Sequence, residues 1–204
     1  GYDVVTAGLR KWPGDVRLRQ LAGLALARAG ATERAAALMG ELYSEGHRDG
    51  ETLGILARTR KDLWERSCDA RAGMDQLKIA EHLYRRAYRE ACRCRSLDAA
   101  IYNGVNAATL SALAGAKNRS QGLARGVRSL CERRLARGAD YWIAASLAES
   151  ALVLGDVPKA QALYESASVL GRGQYANLLS SRRQARLLLR HLGETGNALD
   201  GCFP

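Results

Sequence analysis

The residues best suited to chemistry in this chain are five cysteines, at 68, 92, 94, 131 and 202, and three histidines, at 47, 82 and 191. Thiolates and imidazoles hold zinc when several converge at short spacing. Cys92 and Cys94 come nearest, but two residues apart on a helix they point about 200° from one another and cannot share an ion. The histidines have no partner spacing. An odd cysteine count, with no basic-then-apolar signal segment before it, fits reduced thiols in a cytoplasm. Gly171-Arg172-Gly173-Gln174-Tyr175-Ala176 spells a relaxed dinucleotide fingerprint. It follows a helical pattern, however, and that fingerprint works only between a strand and a helix, so the run reads as a hairpin loop. There is no nucleophile elbow, phosphate loop or kinase signature. The chain is therefore expected not to be an enzyme, and to have no catalytic, metal or cofactor-binding residues.

Charge is the chemistry that remains. The net charge is +10, and Arg outnumbers Lys about five to one. Arg85, Arg89 and Arg93 recur at i, i+4 and i+8, and Arg125, Arg128, Arg133, Arg134 and Arg137 follow further on. Such stripes could track a phosphate backbone. Glu81, Glu90 and Glu132 dilute them, few aromatics interleave for base stacking, and a lean toward Arg, Ala, Gly and Leu also follows from a GC-rich genome. Nucleic acid is thus the second choice, behind a protein partner.

The elements that must position these groups are helices. Across residues 141–171, Ala144, Leu147, Ala148 and Ala151 recur at helical spacing, Gly155-Asp156 breaks the run, and Ala160, Leu163, Tyr164 and Ala167 resume it. Gly155 suits the left-handed residue ending a helix, Asp156 can cap the next, and Pro158 falls in its first turn. Ala148, Ala160 and Ala167 let the helices approach closely, while Leu147 and Tyr164 fill the space beside them. One hairpin cannot bury that face and needs stacked copies. With Tyr141 as position 1 of a unit of about 34 residues, small residues fall at 8, 20 and 27, an aromatic at 24 and the turn Gly at 15. That pattern resembles the tetratricopeptide (TPR) repeat. The same frame from Val16 gives Gly23, Gly30, Ala35 and Met39, with Pro13 closing a preceding unit. From Ile101 it gives Ala108, Gly115, Ser120 and Ala124. A split copy has Leu53-Gly54 in one half and Ala80, Tyr84 and Ala87 in the other, with extra residues over 65–74 between them.

The expected fold is all-α: a TPR-like α-solenoid of stacked antiparallel helix hairpins, about ten helices in a right-handed superhelix, forming a single repeat domain over residues 1–204. Ala and Leu dominate while Val, Ile and Phe are scarce, which favours helix over strand. Asp15, Thr32, Asp49, Asn118, Asp140 and Gln174 mark expected helix starts, and Gly193 a stop. Residues 194–204 read as a short, polar, irregular tail. No apolar run is long enough to cross a bilayer, so the chain is expected to be cytoplasmic and off the membrane. It reads as a piece of a longer polypeptide, with apolar end faces that would favour a homodimer through end repeats.

In repeats of the type resembled, first helices line a concave groove. The frame places Arg17, Gln20 and Arg28 there from one unit, Arg48, Glu51 and Arg58 from the split unit, and Tyr102, Asn106 and Thr109 from the next. Trp142 and Glu149 come from the central hairpin and Arg183 from the last helix. Such a basic groove with two aromatics and isolated acids suits an acidic or extended peptide. The alternative is that Arg58, Asn106, Glu149 and Arg183 satisfy one another between adjacent helices and hold the array together.

The run from Glu51 through Arg58 to Trp64, with Tyr102-Asn103-Gly104-Val105-Asn106, Asp140-Tyr141-Trp142 and Ser181-Arg182-Arg183-Gln184, resembles the TRAF-binding TPR region of apoptosis signal-regulating (ASK-type) MAP kinase kinase kinases and its bacterial relatives. The composition is closer to a bacterial member. The resemblance implies a regulatory scaffold within a multidomain signalling protein, binding a protein, a peptide or a neighbouring domain of the parent chain.

Overall fold

Aspartates begin several helices by the same local chemistry. Each accepts an otherwise orphaned backbone N–H of the first turn, worth about 1 kcal/mol. Asp15 takes that of Leu18 at 2.8 Å, Asp140 that of Ile143 at 3.1 Å, Asp156 that of Lys159 at 3.1 Å, and Asp49 those of Glu51 and Thr52 at 3.0 and 3.1 Å. The computed structural model describes residues 2–203. Among the described residues there are ten α-helices and no strand. They are α1 (Tyr2–Lys11), α2 (Val16–Arg28), α3 (Thr32–Ser44), α4 (Gly50–Arg66), α5 (Ala70–Arg93), α6 (Leu97–Leu113), α7 (Lys117–Leu135), α8 (Tyr141–Val153), α9 (Val157–Leu170) and α10 (Tyr175–Leu192), followed by a 3-10 turn, Asp200–Cys202.

Other boundaries differ from expectation. Thr32 is the first residue of α3 rather than its cap, and no side chain caps that helix. The helix expected to start at Asn118 is α7, which starts at Lys117, also without a side-chain cap. The extra residues near 65–74 are helical except for a short break at 67–69. α4 continues to Arg66 and α5 begins at Ala70, because the Asp69 carboxylate accepts the N–H groups of Arg71 and Ala72 at 2.7 and 3.0 Å.

The chain forms two compact units, Gly1–Ala91 and Cys92–Pro204. In the first, α1 packs on α2, α2 on α3 and α3 on α4, while α2 also touches α4. Ala35, Met39, Leu42, Leu53, Ala80, Tyr84 and Ala87 are all buried. Gly23 is required for this packing: a Cβ there would lie 2.4 Å from the Met39 sulfur. In the second unit α6 packs on α7, α7 on α8 and α8 on α9, and α6, α8 and α10 touch one another as one layer. Ala108, Ala124, Ala148, Ala160 and Ala167 are buried at the close approaches, with Leu152, Tyr164, Leu188 and Leu189 between them. Burying each Leu is worth about 1.5–3 kcal/mol. Gly155 and Gly193, at φ +85° and +81°, end α8 and α10 in the left-handed region that side chains disfavour.

The tail departs from a simple polar end. Residues 194–198 form no helix, but Leu199, Cys202 and Phe203 are buried against the core of the second unit.

Candidate functional site

In the first unit, the expected groove residues fall on α2, on α4 and on the turn before α4. Gln20 is buried rather than presented, and its side-chain N–H groups donate to the Thr52 hydroxyl at 2.9 Å and to both Asp49 oxygens at 3.1 and 3.2 Å. The Thr52 hydroxyl in turn donates to Asp49 at 2.9 Å. Burial pushes the Asp49 carboxyl up, but the hydrogen bonds from Thr52 and Glu51 outweigh it and hold the group below its ordinary value. Arg17 lies 3.2 Å from Glu51 across α2 and α4 and donates to the Gln20 side-chain amide oxygen at 3.2 Å. Arg58 is 3.9 Å from Asp62, one turn along α4. The Arg48 guanidinium lies 5.0 Å from the Tyr43 ring centroid, and Arg28 is exposed in the last turn of α2. The basic groups of this face are largely matched by acids or an aromatic.

In the second unit, Thr109 on α6 is fully buried and donates to Glu149 on α8 at 2.5 Å. Asn106 donates to the Tyr102 carbonyl one turn earlier at 2.9 Å. Tyr141 links α8 to α10: its hydroxyl donates to the Ser181 hydroxyl or the Asn177 carbonyl, at 2.6 and 2.9 Å. Burial raises the Tyr141 phenol above its ordinary value, the Ser181 hydrogen bond lowers it, and the nearby Glu149 charge raises it again, for a net rise. Tyr102 and Trp142 stay 45% and 49% exposed. The Trp142 ring stands edge-on to Tyr141, centroids 5.1 Å apart. Arg183 is exposed on α10.

The arginine stripes are partly spent on structure. Arg134 donates to Asp98 at 2.9 Å, to the Gly138 carbonyl at 3.0 Å and to Asp140 at 3.3 Å, tying the end of α7 to the starts of α6 and α8. Arg85 lies 3.8 Å from Glu81, and Arg128 lies 3.9 Å from Glu132. Arg89, Arg125, Arg133 and Arg137 are exposed. Cys94 lies just past the end of α5, and Cys68, Cys92 and Cys94 are exposed. Cys131 is buried, and burial, with the charges of Glu132 and Asp140 behind it, pushes its thiol up to about 12. Among the described residues no group of three or more His, Cys, Asp or Glu could hold a metal ion. Among them, too, no helix is long and apolar enough to cross a membrane.

Sequence reasoning missed the polar links that Asp49, Thr52, Tyr141 and Ser181 make between helices. Asp49 with Thr52 three residues on was the available signal, a cap whose partner could also bond sideways.

The sequence profile of the Tetratricopeptide Repeats-Sensor (TPR-S) family matches residues 1–111, more than half the chain. The chain belongs to the TPR-S family. No curated protein matches the TPR-S chain. Its fold is similar to the crystal structure of a thermophilic TPR protein in Thermus thermophilus. The TM-score is 0.67 at 19% identity, over 92% of this chain and 89% of that one. The helix pairs of the TPR-S chain are thus those of an all-α, TPR-like solenoid. Repeats of this kind are protein-interaction scaffolds and in general not enzymes.

Proposed function

We propose that this TPR-S chain is a protein-interaction and regulatory module of a multidomain signalling protein, and that a peptide or neighbouring domain docks on the layer formed by α6, α8 and α10. The observation that carries this reading is the exposure of Tyr102 and Trp142, at 45% and 49%, in a unit whose Tyr141 and Tyr164 are buried. Half-exposed aromatics on rigid helices are the residues that most often anchor a protein partner, because they bring large area at small entropic cost. Arg183, exposed on α10, adds a planar donor suited to a carboxylate. The Thr109–Glu149 bond ties α6 to α8 within the layer, and Asn106 bonds back along α6. In the first unit, Arg17, Arg28, Arg48, Glu51 and Arg58 offer a charged surface of mixed sign, with Gln20 beneath it.

The resemblance to the ASK-type TRAF-binding region supports a regulatory setting. A bacterial cytoplasm and a partner within the parent chain fit it, as does self-association through end repeats. The test is a pull-down from source-cell lysate, with and without nuclease, using the chain and its Tyr102→Ala and Trp142→Ala variants. A nuclease-resistant protein lost on either substitution, with melting unchanged, supports the reading. Recovery of nucleic acid that disappears at moderate salt moves the function to exposed Arg89, Arg125, Arg133 and Arg137, since phosphate contacts are lost steeply with salt.

A further inference from the structure

Residues 199–203 pack on the second unit as a bound peptide would. After α10, residues 193–198 run Gly-Glu-Thr-Gly-Asn-Ala, polar and mostly exposed, with Gly193 at φ +81°. Past this linker, Leu199, Cys202 and Phe203 are 2%, 6% and 7% exposed. Asp200 is gripped by two arginines of α10: Arg182 donates to it at 2.9 Å, and Arg186 donates through Nε at 2.9 Å and through Nη2 as well. Those hydrogen bonds, Arg186 first and Arg182 second, hold the carboxyl well below its ordinary value. On α9, the Ser168 hydroxyl donates to the Cys202 carbonyl at 2.5 Å, and the Phe203 ring sits 5.2 Å from the Tyr164 ring. Leu199, Asp200, Cys202 and Phe203 therefore meet the second unit through one anionic anchor flanked by apolar side chains. In a stack of hairpins, the next helix would pack at that place.

We propose that this α9–α10 face is a docking site for a partner segment of the pattern apolar-Asp-x-x-aromatic, and that residues 199–203 occupy it in cis until such a segment displaces them. Three features favour displacement over a fixed piece of core. The tail is tethered through an exposed, glycine-containing linker, so it can leave without disturbing a helix. Its ion pairs are partly solvated, with Arg182, Arg186 and Asp200 side chains 30%, 40% and 23% exposed, and salt screens such pairs. It buries few side chains, which places its opening toward the low end of local unfolding. Residues 199–203 also leave apolar surface at the α9–α10 corner uncovered. Val169, Leu170, Tyr175 and Leu179, around the α9–α10 corner, remain 66%, 42%, 68% and 62% exposed. A longer partner segment would cover them. The short tether gives the cis tail an effective concentration of the order of mM, so only a segment with more contacts competes. This site is separate from the Tyr102 and Trp142 layer and is tested separately.

The test uses the full chain with Asp200→Lys and Phe203→Ser to release the tail. The probe is a fluorescein-labelled synthetic peptide of residues 197–204 carrying Cys202→Ser. The expected result is binding to the released chain at least tenfold tighter than to the unaltered chain. That binding should be lost with Arg182→Glu and Arg186→Glu, lost when the peptide carries Asp200→Lys, and unchanged by Trp142→Ala. Equal binding to both chains, or none to a released chain whose circular dichroism is intact, overturns the proposal. A second measurement needs no released variant. With Cys68, Cys92 and Cys94 replaced by Ser, Cys202 and Cys131 are labelled by a thiol reagent in the otherwise unaltered chain. Cys202 should react at least tenfold faster than Cys131, and Asp200→Asn should accelerate Cys202 alone. Labelling of both at one rate would mean the tail leaves only when the unit unfolds, and would sink the idea.

Discussion

The Gln20 side chain on α2 reaches across to α4, where its amide donates to the Thr52 hydroxyl at 2.9 Å. The same amide meets both oxygens of Asp49, the residue that caps α4. One side chain thus couples the packing of two helices to the start of the second.

Gln20→Ala would leave Thr52, which is fully buried, and the cap beneath it without their donor. The expected loss is about 1–3 kcal/mol. Arg28→Ala, on an exposed turn, is expected to cost under about 0.5 kcal/mol. Urea denaturation of both variants measures the contrast; similar small losses would return Gln20 to the exposed surface.

Asp49 makes the same cluster sensitive to acid. Its carboxyl is held below its ordinary value, so it contributes stability above the unfolded value of about 3.9. That contribution fades as pH falls through the lower folded value. Asp49→Asn keeps a capping oxygen but removes the titration. Melting temperatures recorded from pH 7 down to pH 3 should fall less steeply for Asp49→Asn than for the unaltered chain; parallel curves would exclude Asp49 as a contributor.

Gly23 and Met39 occupy positions 8 and 24 of one repeat and meet as that frame requires, since a Cβ on Gly23 would lie 2.4 Å from the Met39 sulfur and 2.9 Å from its Cγ. Met39 is fully buried and has little room to withdraw. Gly23→Ala should cost about 1–3 kcal/mol by overpacking. Combined with Met39→Ala it should cost less than the sum, because the second change opens the space that the first needs. Additive losses in chemical denaturation would show that the two residues are not in contact.

The repeat frame was legible because small and aromatic residues at fixed spacing leave few alternatives. Gly23, Ala148, Ala160, Tyr164 and Ala167 all lie where the period put them. Caps were legible where an aspartate stood before the helix, at Asp15, Asp140 and Asp156, but not at Thr32 or Asn118. Those helices begin without a side-chain acceptor, and backbone geometry alone sets their first residue. The extra residues near 65–74 were legible only as a break in the period, whereas Asp69 capping Arg71 and Ala72 was the local signal for more helix.

Surface and interior polar residues were harder to separate. Gln20 and Thr109 sit at positions that the repeat assigns to a groove, yet both turn inward because a partner on the adjacent helix, Thr52 or Glu149, is within hydrogen-bond reach. Periodicity on one helix cannot reveal a partner some thirty to forty residues away, at |i−j| of 32 and 40. The tail was misleading for a related reason. Its average is polar, while Leu199, Cys202 and Phe203, spaced to one side of a 3-10 turn, decide where it goes.

Tyr164 fills the aromatic position of its repeat, but only its ring is used. The side chain is fully buried, and among the described residues its hydroxyl finds no hydrogen-bond partner. Burial holds the phenol well above its ordinary value, and nearby Glu149, Tyr141 and Cys202 push the same way. A hydroxyl taken out of water without a partner costs about 1–3 kcal/mol. Tyr164→Phe keeps the ring, its contact with Phe203 and the close approach of α8 and α9 while removing that cost. It should therefore be neutral or stabilising by about 1 kcal/mol, equivalent to a rise of roughly 2–4 °C in Tm for a chain of this size. Tyr164→Ala removes the ring itself and should cost about 3–5 kcal/mol. Thermal melts of the pair separate the two contributions. A clear loss of stability in Tyr164→Phe would mean that the hydroxyl is held by a bond, and the aromatic position of this repeat would then be polar by design.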